Sequence, residues 1–243
     1  LAFRIRDAAL RFPQCSPSQE HRSLRMTEEH QPQYFGQYIS LLSDFGFKRI
    51  FGDENQPEFL LDFLQHLLPH LNITSIRHLP TIRKREKLND RVAIFDLHCT
   101  LSGGEHVIIE LQKVQQKNFI DRSIFYSSFA INSQGIRGQW DYSLKGIYTI
   151  SILDFAFEED KRVIKRLKLM DTVTKDFAYD KLEYLYIQLP NFTKSISEIS
   201  SPMDMWLFTL RHLHALNEQP IPSWFQQREV LMNILSKSEL ANL

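Results

Sequence analysis

The chain has 243 residues, 43% of them hydrophobic and 24% charged, which is enough apolar content for a sizeable core. Its 29 Lys and Arg balance 29 Asp and Glu, so overall charge favours neither nucleic acid nor membrane, and such a partner must be met by a local patch. Eight glycines, ten prolines and 18 phenylalanines exclude collagen-like, low-complexity and disordered classes. The two cysteines, Cys15 and Cys99, stand far apart without a CxxC or a His-rich tract, which excludes a disulfide framework and a zinc finger and suits a reducing cytoplasm. The most apolar stretch, Ile147 to Phe157, has about half the length of a membrane-spanning helix and carries Asp154. At the start, Leu1-Ala-Phe-Arg-Ile-Arg-Asp mixes charge into every apolar patch, unlike a secretory signal. A cytoplasmic protein without a membrane partner is expected.

Residues 1 to 33 are rich in Arg, Gln, Ser, Pro and His without a period and read as a loose leader, with Met26 as a plausible natural start. Apolar content rises over Tyr38, Ile39, Leu41, Leu42, Phe45 and Phe47. Pro57, then Phe59, Leu60, Phe63, Leu64, Leu67 and Leu68 at three- and four-residue spacing, predict an amphipathic helix ending near Pro69. From Val92 to Lys113 the period becomes two, broken at Ser102-Gly-Gly-Glu, which predicts a β-hairpin. A helix over Phe119 to Gln134 follows, then a buried strand over Ile147 to Phe157. The pattern of Arg162 to Met170 fits a strand with helix as the alternative, and Leu182 to Leu189 alternates as a strand. The last 40 residues read as two helices. One α/β domain over 34–200 with C-terminal helices over 201–243 accounts for this order.

Strand parity makes the hairpin informative. Ile94, Asp96 and His98 share one face of its first strand, and Ile108, Glu110 and Gln112 share one face of its second. Carboxylates in apolar strands cost several kcal/mol if buried unpaired, so they call for solvent, a basic partner or a cation such as Mg²⁺, which prefers oxygen ligands. For Asp96 and Glu110 to share a face, cross-strand partners must have numbers of even sum. A two-residue Gly103-Gly104 turn would separate them. The expected loop is therefore odd, most simply Ser102-Gly103-Gly104 with a bulge-type left-handed glycine, or else a compensating bulge lies nearby. Taken alone, acids in a hairpin more often lie on a solvated face.

An acid on one strand and Glu-x-Gln on the next resembles the PD-(D/E)xK nuclease fold. The likeness extends through Asp44-Phe-Gly-Phe-Lys-Arg-Ile-Phe-Gly, Phe95-Asp96, Ile109-Glu110-Leu-Gln112, Arg122-Ser-Ile-Phe-Tyr126, Gly146-Ile-Tyr-Thr-Ile-Ser-Ile-Leu-Asp-Phe and Ile187-Gln-Leu-Pro-Asn-Phe. Together these resemble the Rpn-type recombination-promoting nucleases, also called PD-(D/E)xK family transposases, over roughly Tyr38 to Trp206. The resemblance implies a mixed sheet flanked by helices, an α/β fold with a helical tail, and Mg²⁺-dependent hydrolysis of DNA, Mn²⁺ being a substitute. It makes Asp96 and Glu110 metal ligands and puts Gln112 where many such nucleases have lysine. Asp44 matches a recurrent acid of the family and adds a ligand, braces the site, or simply caps a helix. Lys113, one residue further along the strand, points away from Gln112 and reads as a solvent or phosphate contact.

Arg122 and Tyr126, four apart on one helix face, meet DNA phosphate, stabilise the site, or form a plain surface pair. Arg83, Lys84 and Arg85, in Thr81-Ile-Arg-Lys-Arg-Glu-Lys, form one of two dense basic runs; Lys161-Arg-Val-Ile-Lys-Arg-Leu-Lys is the other. Either follows a DNA backbone or merely solvates a surface. His98 and His106 flank the hairpin turn, weak grounds for zinc without a third ligand. The expectation is a DNA endonuclease of recombination or of a mobile element; the alternative is a catalytically weak or inactive DNA- or protein-binding module on the same fold. Oligomeric state stays open, a homodimer included. Removing residues 1 to 25 should leave the melting temperature nearly unchanged; a loss beyond a few tenths of a kcal/mol would show a docked arm.

Overall fold

The computed structural model describes residues 37–81, 94–136, 138–157, 159–218 and 220–240. The expected leader over 1–33, the basic Arg83, Lys84 and Arg85, and Val92 and Ala93 at the start of the expected hairpin lie outside them. A six-stranded mixed sheet forms the centre, in the order β1 (Ile76–His78), β2 (Leu97–Leu101), β3 (His106–Gln112), β4 (Ile147–Leu153), β6 (Phe177–Gln188) and β5 (Ile164–Met170). β3 runs parallel to β4 and β4 to β6, while the outer pairings are antiparallel. All seven residues of β4 are buried, as expected of a central parallel strand covered on both faces.

One face carries the larger core. Leu97, Cys99, Val107, Ile109, Ile150, Ile152, Leu185 and Ile187 pack there with α1 (Asp44–Phe51), α2 (Glu58–Leu67), α4 (Pro202–His212) and α6 (Glu229–Ser238). The other face lies beneath α3 (Phe119–Asn132), where the smaller clusters contain Phe95, Ile108, Ala130 and Ile147, and Phe119, Leu153 and Tyr186. This second face is polar for an interior. Ser123 Oγ and Tyr186 Oη lie 2.8 Å apart, and Ser127 Oγ and Tyr184 Oη 2.7 Å apart. Each serine Oγ also bonds a carbonyl one turn earlier, so small residues at i and i+4 let α3 lie close to the sheet.

The C-terminal segment contains α4, a 3₁₀ turn over Leu213–Glu218, the single-turn α5 (Ser223–Gln226) and α6, more elements than the two helices expected. Apolar spacing there could not reveal one-turn helices. These helices pack into the same core as α2. Trp206 of α4 is fully buried against Phe51 and Phe63, at ring distances of 5.7 and 5.5 Å. Its indole N–H donates to Asp62 Oδ2 at 2.6 Å, and Arg228 Nη2 donates to both Asp62 oxygens at 2.6 and 2.8 Å. Asp62 thus ties α2 to α4 and to the residue preceding α6. Asp62→Ala should destabilise the protein by about 1 to 3 kcal/mol in urea unfolding, since an indole N–H and a guanidinium lose their acceptor; a change below about 0.5 kcal/mol would show the network to be dispensable.

Candidate active site

The hairpin sets the geometry. Leu97 faces Ile109 and Thr100 faces His106, pairs of even sum. Leu101 N–H donates to Glu105 O at 2.8 Å, closing the three-residue loop Ser102-Gly103-Gly104, and Gly104 has φ of +89°, where an L side chain would be strained. The odd loop expected from the sequence is therefore present, and continuing its register sets Asp96 opposite Glu110. The regular strand nevertheless starts at Leu97, one residue after Asp96. The backbone bends at Asp96, so Phe95 meets His98, at a ring distance of 5.4 Å, while Ile94 is 58% exposed. The shared face expected for Ile94, Asp96 and His98 is broken by this bend.

The bend turns the Asp96 carboxylate toward β3. Its Oδ2 accepts the Leu111 N–H at 2.7 Å, in place of a ladder bond, and the Asp96 N–H donates to Glu110 Oε1 at 3.3 Å. The acids are thus interlocked through each other's backbone and side chain. Glu110 is 7% exposed. Burial, and then the charge of Asp96, push its carboxyl up to about 8, against only partial compensation from the Asp96 N–H, Arg122 and Lys48. Asp96 is also raised by burial, opposed by the Leu111 N–H and Lys48. Beside Glu110 in the ladder, Ser151 has a buried hydroxyl without a hydrogen-bond partner among the described residues.

Gln112 is buried, and both ends of its amide are engaged. Its Nε2 donates to Val114 O at 2.8 Å, and its Oε1 accepts from Arg122 Nη2. Arg122 also donates to Gln116 Oε1 at 2.7 Å, and its guanidinium lies 5.4 and 5.8 Å from the ring centres of Phe119 and Tyr126. Tyr126 packs edge-on against Phe95 at 5.3 Å, and burial followed by the charge of Glu110 raises its phenol above the usual value. Arg122 and Tyr126 therefore border the carboxylate pair. Lys113 is exposed beyond the end of β3.

Asp44 opens α1. Ser43 is the cap, its Oγ accepting the Gly46 N–H at 3.0 Å, and Asp44 occupies the first turn, where its charge complements the helix dipole. Gly46 lets this turn sit on the Ser40 carbonyl, which a Cβ would approach to 2.2 Å. Asp44 forms an i,i+4 ion pair with Lys48 at 2.7 Å, with side-chain exposures of 71% and 50%. Its charge reaches Asp96, yet among the described residues no group of three His, Cys, Asp or Glu could hold a metal ion. Sequence reading missed Lys48, whose charge acts on both Asp96 and Glu110, and Gln116; only the pairing Asp44-x-x-x-Lys48 could have marked the former, once a helix was assigned.

The other candidates resolve differently. In the second basic run, Arg162 and Lys165 pair with Asp160, and Arg166 and Lys168 with the buried Glu183, so these cations are largely spent within the fold. His98 Nε2 and His106 Nδ1 lie 3.3 Å apart on adjacent strands, without a third metal-binding side chain among the described residues. No described helix is long and apolar enough to cross a membrane.

A family model described as PD-(D/E)XK nuclease family transposase matches residues 41–243. The chain belongs to that family. No curated protein and no solved structure matches it. The mixed sheet with flanking helices agrees with the nuclease fold of the family, and the family is one of nucleases that generally use divalent metals. The donor set fits such an ion: two adjoining carboxylates, both poorly compensated in their burial, match the one or two carboxylates plus water with which Mg²⁺ is usually bound.

The metal-free protein should reveal this strain through pH. A carboxyl whose folded pKa is raised to about 8 from an unfolded 4.5 binds protons more tightly when folded. Its contribution to stability is therefore full below about pH 4.5 and is lost as pH rises through 8. Glu110→Gln should remove this loss and be more stable than the parent at pH 8 without metal, by on the order of a few kcal/mol; equal stability of the two across that range would contradict the burial account.

Proposed function

We propose that the protein is a divalent-metal-dependent DNA endonuclease, with Mg²⁺ as its ion and Mn²⁺ as a substitute, acting in DNA recombination or for a mobile element. The observation carrying this reading is the interlocked Asp96, just before β2, and Glu110, on β3, both with raised proton affinity and both within the residues that the family model matches. Asp96 and Glu110 would hold the ion. When bound, it supplies Lewis acidity, lowering the pKa of a coordinated water and neutralising charge on the phosphate oxygens.

The reaction is hydrolysis of a phosphodiester. A water oxygen bonds to phosphorus, the bond from phosphorus to one deoxyribose oxygen breaks, and that oxygen takes a proton, leaving a phosphate monoester and a hydroxyl. Gln112 positions but cannot accept a proton, and Arg122 fixes it through its Oε1. The Val114 and Arg122 bonds hold the amide in one orientation. Asp44 pairs with Lys48, whose charge acts on both acids. Lys113, Arg122 and Tyr126 border the path of the strand, and Arg83, Lys84 and Arg85 belong to the same proposed DNA contact. A cytoplasmic setting follows from the substrate, and a homodimer would suit paired cuts.

In nicking of supercoiled plasmid with Mg²⁺ or Mn²⁺, Asp96→Ala and Glu110→Ala should each fall below detection, since each removes a ligand. Gln112→Ala should retain activity, reduced about 10- to 100-fold, because it loses a group that orients rather than binds the ion. Protein that binds DNA without cutting it under either ion would establish the binding-module alternative. Parental activity in Asp96→Ala would assign the chemistry elsewhere.

A further inference from the structure

A second feature lies at the end of the sheet remote from the carboxylates. The chain between α3 and β4 forms a loop pinned at both ends by Gln134, whose Oε1 accepts the Lys145 N–H at 2.7 Å and whose Nε2 donates to Lys145 O at 3.4 Å. On this loop Trp140 and Tyr142 stack, with ring centres 4.7 Å apart and planes 33° from parallel. Trp140 is half-buried and rests against Gly135, where a Cβ would lie 3.9 Å from its ring. Tyr142 is 78% exposed, so the ring surface turned from Trp140 meets water. Folding alone does not favour this. Tyr142 has φ of +59°, in the left-handed region that a bulky L residue avoids, and the Ser143 N–H spans it to donate to Asp141 Oδ1 at 3.0 Å. A large ring is thus kept in water at a backbone cost that asparagine or glycine would remove.

Cations adjoin the ring. Lys181 Nζ donates to Leu144 O at 3.2 Å, two residues after Tyr142, and the Lys145 stem lies over Gly104 of the hairpin turn. Neither ammonium is in an ion pair among the described residues. Both line a cleft of about 360 Å³ behind Ser143 and Leu144, in which Asp180 remains as an acid while the Glu105 carboxylate is folded over Gly103. An exposed aromatic face beside these ammonium groups offers the two contacts of an unpaired nucleotide, stacking for the base and a cation for its phosphate. We propose that Tyr142, stacked on Trp140, is a platform for an unpaired base of the DNA substrate, with Lys145 and Lys181 holding the adjoining phosphate. A base inside a duplex has both faces covered by its neighbours, so the site takes single-stranded DNA in preference to blunt duplex. DNA as the occupant rests on the nuclease reading. The loop enters β4 at Ile147, four residues or about 13 Å from Ser151, the ladder partner of Glu110. The captured base therefore belongs at least about four nucleotides from the bond cut, which favours substrates with a flap or overhang beside the cut.

The test compares the full chain with Tyr142→Phe, Tyr142→Asn, Trp140→Phe and Lys145→Met. Binding of a fluorescent oligothymidylate of about 15 nucleotides, and of a blunt duplex of the same length, is measured without metal. Tyr142→Asn should bind the oligothymidylate about 10- to 100-fold more weakly, whereas Tyr142→Phe keeps the stacking surface and should stay within about twofold of the parent. Duplex binding should change far less in both. Because asparagine suits the left-handed backbone, Tyr142→Asn should melt no lower than the parent. Unlabelled oligothymidylate should quench the parent's tryptophan emission, and Trp140→Phe should remove most of that quenching. In Lys145→Met the salt slope of oligothymidylate binding should fall by about one. An oligothymidylate affinity of Tyr142→Asn within about twofold of the parent would overturn the platform. So would an equal loss for the duplex, which would put the loop on the phosphate backbone alone, or a fall in melting temperature, which would make the ring pair a structural brace. A parent that shows these binding results yet fails to nick plasmid with Mg²⁺ would overturn the nuclease reading and leave the base site standing.

Discussion

Two carboxylates held against each other beside a buried strand are the constraint on which the site depends. Nothing in hydrophobic burial favours that arrangement, because both acids are removed from water and the charge of Asp96 raises the proton affinity of Glu110 further. It persists because the hairpin leaves little choice. A three-residue loop ending in left-handed Gly104 fixes an even register, the register brings Asp96 opposite Glu110, and the bend at Asp96 aims its carboxylate at the Leu111 N–H. Compensation is partial by construction: one N–H for each acid, with Lys48 and Arg122 at longer range. A protein that needed only stability would have apolar residues here, and a divalent cation is the partner whose charge and oxygen preference would complete the balance.

The sheet divides its work between faces. Toward α1, α2, α4 and α6 it presents Leu, Ile and Val, locked by the cluster of Phe51, Phe63 and Trp206 and by the Asp62 network. Toward α3 it presents Glu110, Gln112, Ser151, Tyr184 and Tyr186, satisfied in part by serines of that helix. The large apolar face gives the rigidity that a costly polar face requires. α1 belongs to the apolar layer through Phe47, Ile50 and Phe51, while Asp44 in its first turn and Lys48 in its last form an exposed ion pair.

Much of this was legible because it is periodic. The three- and four-residue spacing of Phe59 to Leu68 gave α2, the apolar run from Ile147 gave β4, and the alternation of Tyr184 and Tyr186 with Leu185 and Ile187 assigned the two faces of β6 correctly. Parity called for the odd hairpin loop or a compensating bulge once the two acids were taken to share a face, and the loop is what the structure has. What escaped had no periodic signal. β1 is three residues long and α1 is eight, so neither offers enough turns or alternations to stand out. The bend at Asp96 comes from its side chain taking the Leu111 N–H, a tertiary bond that no alternation foretells. Arg122 was found as a candidate, but only the fold shows that it grips Gln112, and the run from Lys161 looked basic until Asp160 and Glu183 were seen to neutralise it.

The most direct test of the central claim is anomalous diffraction from crystals soaked with Mn²⁺ alone. The account predicts a peak within coordinating distance, about 2.0 to 2.6 Å, of both an Asp96 and a Glu110 carboxylate oxygen, and its disappearance in Asp96→Asn crystals. A peak at His98 and His106 instead, or none near Glu110 at saturating Mn²⁺, would contradict it.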